Sequence, residues 1–205
     1  HLMANRNAIF NNWRQQDSSE FFQFFIDNMD EEVRGKIRLI FNIGQTSVRE
    51  CQRCHTISNH GKNPNIGLSI TVPQNGNNLT VSNLINKNYE SENYTIRCNR
   101  CGGNRNHRVR DNIKDYPEIL IIRLNRFRYD HGQLRKLKHN VGIDGTIDLS
   151  QYSINPGIDQ WTYNLICVCY HLGASPNVGH YISDCLNSTN NKWYNYNDGN
   201  VSNCS

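Results

Sequence analysis

Apolar side chains recur at helical spacing just inside the N-terminal part of the chain: Phe21, Phe22, Phe25, Ile26, Met29 and Val33. Asp17 stands where a helix cap would, and Glu20 three residues on completes a capping box. Gly35 is the predicted stop. The pattern then changes. Ile37 to Cys51 reads as extended, Gly67 to Pro73 as a strand and Gln74 to Asn78 as a polar turn. Leu79 to Tyr89 carries the spacing of a short helix. Glu118 to Phe127, after Pro117, is a near-continuous apolar run, the signature of a central strand buried on both faces. Tyr129 to Gln133 is a turn, and Arg135 to Val141 and Thr146 to Leu149 are further short strands.

Three strand-like runs close the chain: Thr162 to Leu172, His180 to Leu186 and Lys192 to Asn197. The polar stretch Asn187 to Asn191 joins the last two as an antiparallel hairpin. Folding that hairpin brings His180 opposite Asn197 or Asp198, with facing Cβ atoms about 5 Å apart. A one-residue slip decides between the two partners. Either way a histidine meets a polar group able to hold its ring, which is two-thirds of a nucleophilic triad.

Composition narrows the class. The 205 residues suit one large or two small domains, and asparagine is unusually frequent. The net charge of +4 is mild and does not call for nucleic acid. No apolar window of membrane-spanning length exists, so no membrane contact is expected. His1-Leu2-Met3 lacks the basic-then-apolar pattern of a secretory signal and reads as a cloning remnant. A reducing compartment, cytoplasm or nucleus, is therefore expected, with the eight cysteines unpaired.

Four of those cysteines form two Cys-x-x-Cys pairs, Cys51/Cys54 and Cys98/Cys101, each on a predicted turn. This spacing points to one structural Zn2+ held by four thiolates, with no coordination position left for water. Cys51 to His55 also spells a c-type haem attachment sequence, but no export signal accompanies it. Arg97, Arg100, Arg105, Arg108 and Arg110 surround the second pair. Few aromatics stand among them, so they read as a solvated face and not a nucleic-acid platform. Cys167 and Cys169 share a strand face and are expected in the core.

Four motifs in register resemble one family. Gln15-Gln16-Asp17-Ser18-Ser19-Glu20-Phe21, the two cysteine pairs, Tyr116-Pro117 through Arg126-Phe127, and Tyr163 to Val201 with Gly179-His180-Tyr181 and Trp193 to Asp198 together resemble the ubiquitin-specific proteases. The resemblance implies an α+β fold of the papain-like cysteine protease superfamily, mainly antiparallel, with fingers and palm. Residues 4–36 would be a residual thumb and palm helix, 37–110 the zinc-tipped fingers and 111–205 the palm. It implies His180 as general base, Asn197 as its orienting residue and Asp198 as neighbouring support. Asp17 would bind the basic tail of ubiquitin, with His171, Gly179 and Tyr181 beside the substrate. The partner would be ubiquitin or a ubiquitinated protein.

One departure stands out. The family's Asn-x-Gly-Asn-Thr-Cys box, which carries the nucleophile, has no counterpart among Ala4 to Arg14, and no cysteine precedes Cys51. The expectation is a deubiquitinase, a thiol hydrolase of isopeptide bonds, whose attacking cysteine lies outside this chain, so the chain alone is inactive. Two other readings are a catalytically dead ubiquitin-binding scaffold and, further off, a zinc-knuckle nucleic-acid binder.

Overall fold

The computed structural model describes residues 16–204 except 34, 159, 176 and 177. Gln15 and the stretch from Ala4 to Arg14 lie outside the described residues. Helix α1 (Ser18–Glu32) starts at Asp17, whose carboxylate accepts the Ser19 and Glu20 amides. Gly35 follows in a left-handed conformation, φ 83°, with its amide on Asp30 O. The expected extended run from Ile37 is then corrected. Helix α2 (Lys36–Phe41) comes first, because Ile37, Ile40 and Phe41 sit one turn apart.

In chain order the strands are β1 (Asn42–Cys51), β2 (Ile57–Gly61), β3 (Asn65–Ile66), β4 (Leu68–Thr71) and β5 (Leu79–Thr80). Helix α3 (Val81–Asn88) precedes β6 (Glu92–Cys98) and the long β7 (Gly103–Asp115). Then come β8 (Ile122–Asn125), β9 (Phe127–Asp130), β10 (Gln133–Lys136), β11 (Val141–Gly142) and β12 (Thr146–Asp148). The closing strands are β13 (Thr162–Asn164), β14 (Cys167–Ser175), β15 (Val178–Asn187), β16 (Lys192–Asn197) and β17 (Asn200–Asn203).

Two antiparallel sheets dominate. The fingers sheet has the order β2-β1-β7-β6, with β3 on β1. The palm sheet runs β14-β15-β16-β17 in sequence order. Two short parallel pairs, β4 with β8 and β5 with β11, stitch the middle of the chain together. The Glu118–Phe127 run is therefore not one long central strand. Only Ile122–Asn125 pairs as β8, and Ile119 is 39% exposed. The Ile119 amide is taken by Ile40 O, and Ile121 O serves Leu68, so the first half of the run is bonded across chain connections and not in a ladder. The predicted strand at Arg135 likewise splits: its first part pairs with β9, a ladder that the Leu137 amide extends onto Arg126 O, whereas Val141–Gly142 pairs with β5.

The core lies where the base of the fingers meets α3. Thr80 caps α3 through Oγ1 to the Asn83 amide, and Val81, Leu84 and Ile85 face inward together. They pack with Ile43, Ile70, Val72, Ile113 and Leu149. Tyr89 and Tyr152 stack there with centroids 4.6 Å apart. Among the described residues no helix is long and apolar enough to cross a membrane. Ile113 is fully buried and ties β7 into this core. Ile113→Ala is expected to lower stability by about 2–5 kcal/mol, read as a lower urea midpoint.

Candidate active site and cysteine cluster

The palm sheet settles the register at the closing hairpin. Ser183 pairs with Tyr196, and β16 ends at Asn197, which pairs with Asn200 of β17. Asp198 and Gly199 form the two-residue connection, with Asp198 left-handed at φ 50°. Asn197 is thus the last strand position and Asp198 is turned outward. His180 Nε2–H donates to Asn197 Oδ1 at 2.7 Å. Asp198 Oδ2 is 3.9 Å from the same nitrogen, and its side chain is 81% exposed. With Nε2 carrying the proton, Nδ1 of His180 keeps its lone pair for a proton acceptor's task.

Strand alternation divides the remaining residues. Leu172 pairs with His180, and His171 with Tyr181, so His171 and Tyr181 sit on the opposite face from His180. On that face the Ser18 amide approaches Tyr181 Oη at 3.4 Å, which docks the start of α1 against β15. Asp17 stands beside it. The Ser19 hydroxyl also donates to Asp17, and Arg123 donates to Ser19 Oγ at 2.8 Å. Partial desolvation works against the Asp17 anion. Hydrogen bonds from Ser19 and Glu20 and the Arg123 charge outweigh it and hold the carboxyl below its ordinary value. Gly179 leaves room that a Cβ would deny, since it would collide with His171 Nε2 and Leu172 O.

Cys167 and Cys169 are exposed, not core. They lie on the His171 face of β14, where α1 reaches Cys169 through Ser18 and β10 reaches His171 through Lys136. Cys167 faces Cys185 directly across the strands, with sulfurs 2.8 Å apart. Burial around the strand pair and the Cys185 contact push the Cys167 thiol up to about 12.

At the far end of the fingers, β1 leads into the turn holding Cys51 and Cys54, and β6 into that holding Cys98 and Cys101. The two turns are alike. Each places its fifth residue left-handed, His55 at φ 53° and Gly102 at φ 70°, and returns that amide to the carbonyl of the first cysteine. The four sulfurs lie within 4.8 Å of one another, at metal-binding distance. Cys51 to Cys101 is 3.9 Å and Cys54 to Cys98 is 3.6 Å. The Thr56 side chain and amide hold the Cys54 thiol down to about 6, while its sulfur neighbours push Cys101 up to about 12. His55 turns away from the cluster to Glu50, which also accepts Arg108.

Sequence reasoning missed Arg123, Thr56 and Lys136. The last donates to His171 Nδ1 and to two β14 carbonyls. Nothing local marks a lysine at the end of a short strand for that role.

A histidine held by an amide at the edge of an antiparallel palm, with four clustered cysteines at the tip of an inserted sheet, is the architecture of the ubiquitin-specific protease fold. Solved structures agree on the fold. The Ubp8/Sgf11/Sus1/Sgf73 module of SAGA bound to ubiquitin aldehyde superposes with a TM-score of 0.87 at 23% identity, over 98% of this chain and 48% of that one. The profile described as ubiquitin carboxyl-terminal hydrolase matches residues 1–205. The chain belongs to the ubiquitin carboxyl-terminal hydrolase family. It is similar to the probable ubiquitin carboxyl-terminal hydrolase 16 of Schizosaccharomyces pombe, 25% identical over 97% of this chain and 46% of that protein. It is also similar to ubiquitin carboxyl-terminal hydrolase 4 of Arabidopsis thaliana, 24% identical over 97% of this chain and 64% of that protein. The chain thus spans about half the length of these relatives.

Asp17→Ala removes the α1 cap and is expected to destabilise by about 0.5–2 kcal/mol, measured by denaturant titration. Because the folded carboxyl titrates below its ordinary value, the wild-type advantage is complete near neutrality. It fades as pH falls through the folded pKa. A difference between wild type and variant that grows in acid would contradict this.

Proposed function

We propose that this chain is the palm and fingers of a deubiquitinase, which hydrolyses isopeptide bonds at the ubiquitin C-terminus with a thiolate supplied from outside these 205 residues. The observation that carries the reading is the 2.7 Å bond from His180 to Asn197. It leaves Nδ1 as the base that takes the thiol proton and later activates water against the acyl-enzyme. No cysteine of this chain suits the nucleophile's place. Four belong to the fingertip cluster, and Cys167, Cys169 and Cys185 lie on the sheet face opposite His180. Cys204 interacts with Asp184 near the outer strands.

Asn197 orients the imidazole through a neutral amide, so it stabilises the imidazolium less than a carboxylate would. Asp198 adds a long-range negative charge. Asp17, with its carboxylate set at the start of α1, suits a charge-assisted contact with the basic tail of ubiquitin. His171, Gly179 and Tyr181 would line the tail's path beside it. The unpaired thiols suit a reducing compartment, cytoplasm or nucleus. An intact base-and-orienter pair favours a hydrolase over a non-catalytic ubiquitin-binding scaffold.

The fingertip cysteines would hold one structural Zn2+. A tetrahedron with Zn–S bonds of about 2.3 Å has sulfurs about 3.8 Å apart, and two of the pairs here are 3.6 and 3.9 Å. The ion would join β1 and β6 at their tips, with no part in the chemistry.

Calorimetric titration tests the partner: the chain is expected to bind ubiquitin, and Asp17→Ala to bind it more weakly. Absence of heat with wild type sinks the reading. In the longer protein that carries the nucleophile, His180→Ala should cut kcat on a ubiquitin–fluorophore conjugate by about 10²–10⁴-fold. Turnover that survives this change refutes the assigned base. For the metal, colorimetric titration should find one zinc per chain and none in Cys98→Ser. Chelation should melt strand signal from the fingers, and a metal-free chain of unchanged stability would argue against the site.

A further inference from the structure

Lys136, at the end of β10, reaches across to the palm sheet and spends all three ammonium hydrogens there. Nζ donates to His171 Nδ1 at 3.0 Å, to His171 O at 2.6 Å and to Gly173 O at 3.0 Å. An ammonium cannot accept, so Nδ1 must, and the imidazole proton is left on Nε2. That nitrogen is sealed from solvent and has no hydrogen-bond partner among the described residues. Two aromatic rings flank the imidazole. Phe127 meets it edge-on at 5.8 Å, and Tyr181 lies at 4.9 Å. Two glycines, Gly173 and Gly179, form the floor beneath it, and a Cβ at either would strike the ring or the neighbouring backbone. Burial, and then the Lys136 charge, lower the His171 pKa from its ordinary value, with Asp17 acting the other way.

Gly179 immediately precedes His180, and Gly173 follows Leu172, the strand partner of His180. Whatever holds the His171 ring on this glycine pair therefore holds the backbone from which His180 reaches Asn197.

We propose that Lys136 is a positioning residue: it holds His171 as a neutral imidazole protonated on Nε2, seated on Gly173 and Gly179, and so fixes the backbone that presents His180. An unpartnered Nε2–H pressed on a glycine pair is a poor arrangement unless something forbids the other tautomer. A cation on Nδ1 does so. The catalytic half of this role rests on the hydrolase reading above, and the tautomer half does not.

Long-range proton–nitrogen spectra of the imidazoles in this chain test it. Wild type should show His171 as one neutral tautomer with Nε2 protonated. A protonated Nδ1 in wild type overturns the proposal without any variant. In Lys136→Met the single tautomer should give way to a mixture, and Lys136→Arg, which also only donates, should keep it. His139, whose Nε2 bonds Pro73 O at 2.7 Å, reports that the fold is intact. An unchanged His171 tautomer in Lys136→Met with the His139 signal preserved also overturns the proposal. In the longer protein, Lys136→Met should lower kcat about 10-fold with KM within about twofold, and unchanged kcat removes the catalytic half. If wild-type longer protein releases no ubiquitin conjugate, the hydrolase reading fails while the spectra still decide the tautomer.

Discussion

The antiparallel register of β1 on β7 is the constraint from which both ends of the molecule follow. At one end it sets Cys51 against His107, and at the other Gln45 against Ile113 and Gly44 against Asp115. Because β6 lies on the far side of β7, this pairing brings the Cys51 turn alongside the Cys98 turn. A slip of one residue would turn Cys51 to the other face and break up the four-sulfur cluster. The same slip would take Ile43 out of the core. The bulge at Gly44 and Gln45 marks where the strand changes duty from fingers to core. It requires glycine at 44, since a Cβ there would run into the Asp115 side chain.

Features dictated by local chemistry could be read from the sequence. The Asp17 cap needs only its own next three residues. The cysteine pairs advertise their turns by spacing. The closing hairpin follows from alternation and a polar loop. What escaped depends on partners distant in the chain. The run from Glu118 resembled a central strand, yet the Ile119 amide is bonded to Ile40 and the Ile121 carbonyl to Leu68, which no periodicity announces. Cys167 and Cys169 carried the pattern of buried positions, yet both are exposed although Ser18 of α1 contacts Cys169. The choice between Asn197 and Asp198 needed the last strand, β17. Only its pairing shows that Asp198 belongs to the turn.

The chemistry at the palm is spread over both sides of one thin sheet. His180 and Asn197 occupy one face, while Asp17, His171, Tyr181 and Lys136 gather on the other. Alternation makes neighbours in sequence into opposites in space, so such neighbours are separated by no more than a peptide unit. The two glycines at 173 and 179 are where that separation is thinnest, and where a ring on one face rests directly on the backbone of the other.

The fingers strands carry a different implication. β7 runs 13 residues without a break, from the cysteine turns to Ile113. Apolar burial is concentrated at its lower end, while its upper half shows alternating exposed positions. Strand ladders with little packing open at modest cost. The molecule is therefore not equally firm along its length. Amide protons near the tip would exchange long before those beside Ile43 and Ile113, and whatever clasps the two cysteine turns sets how far down β7 that loosening travels before the core stops it.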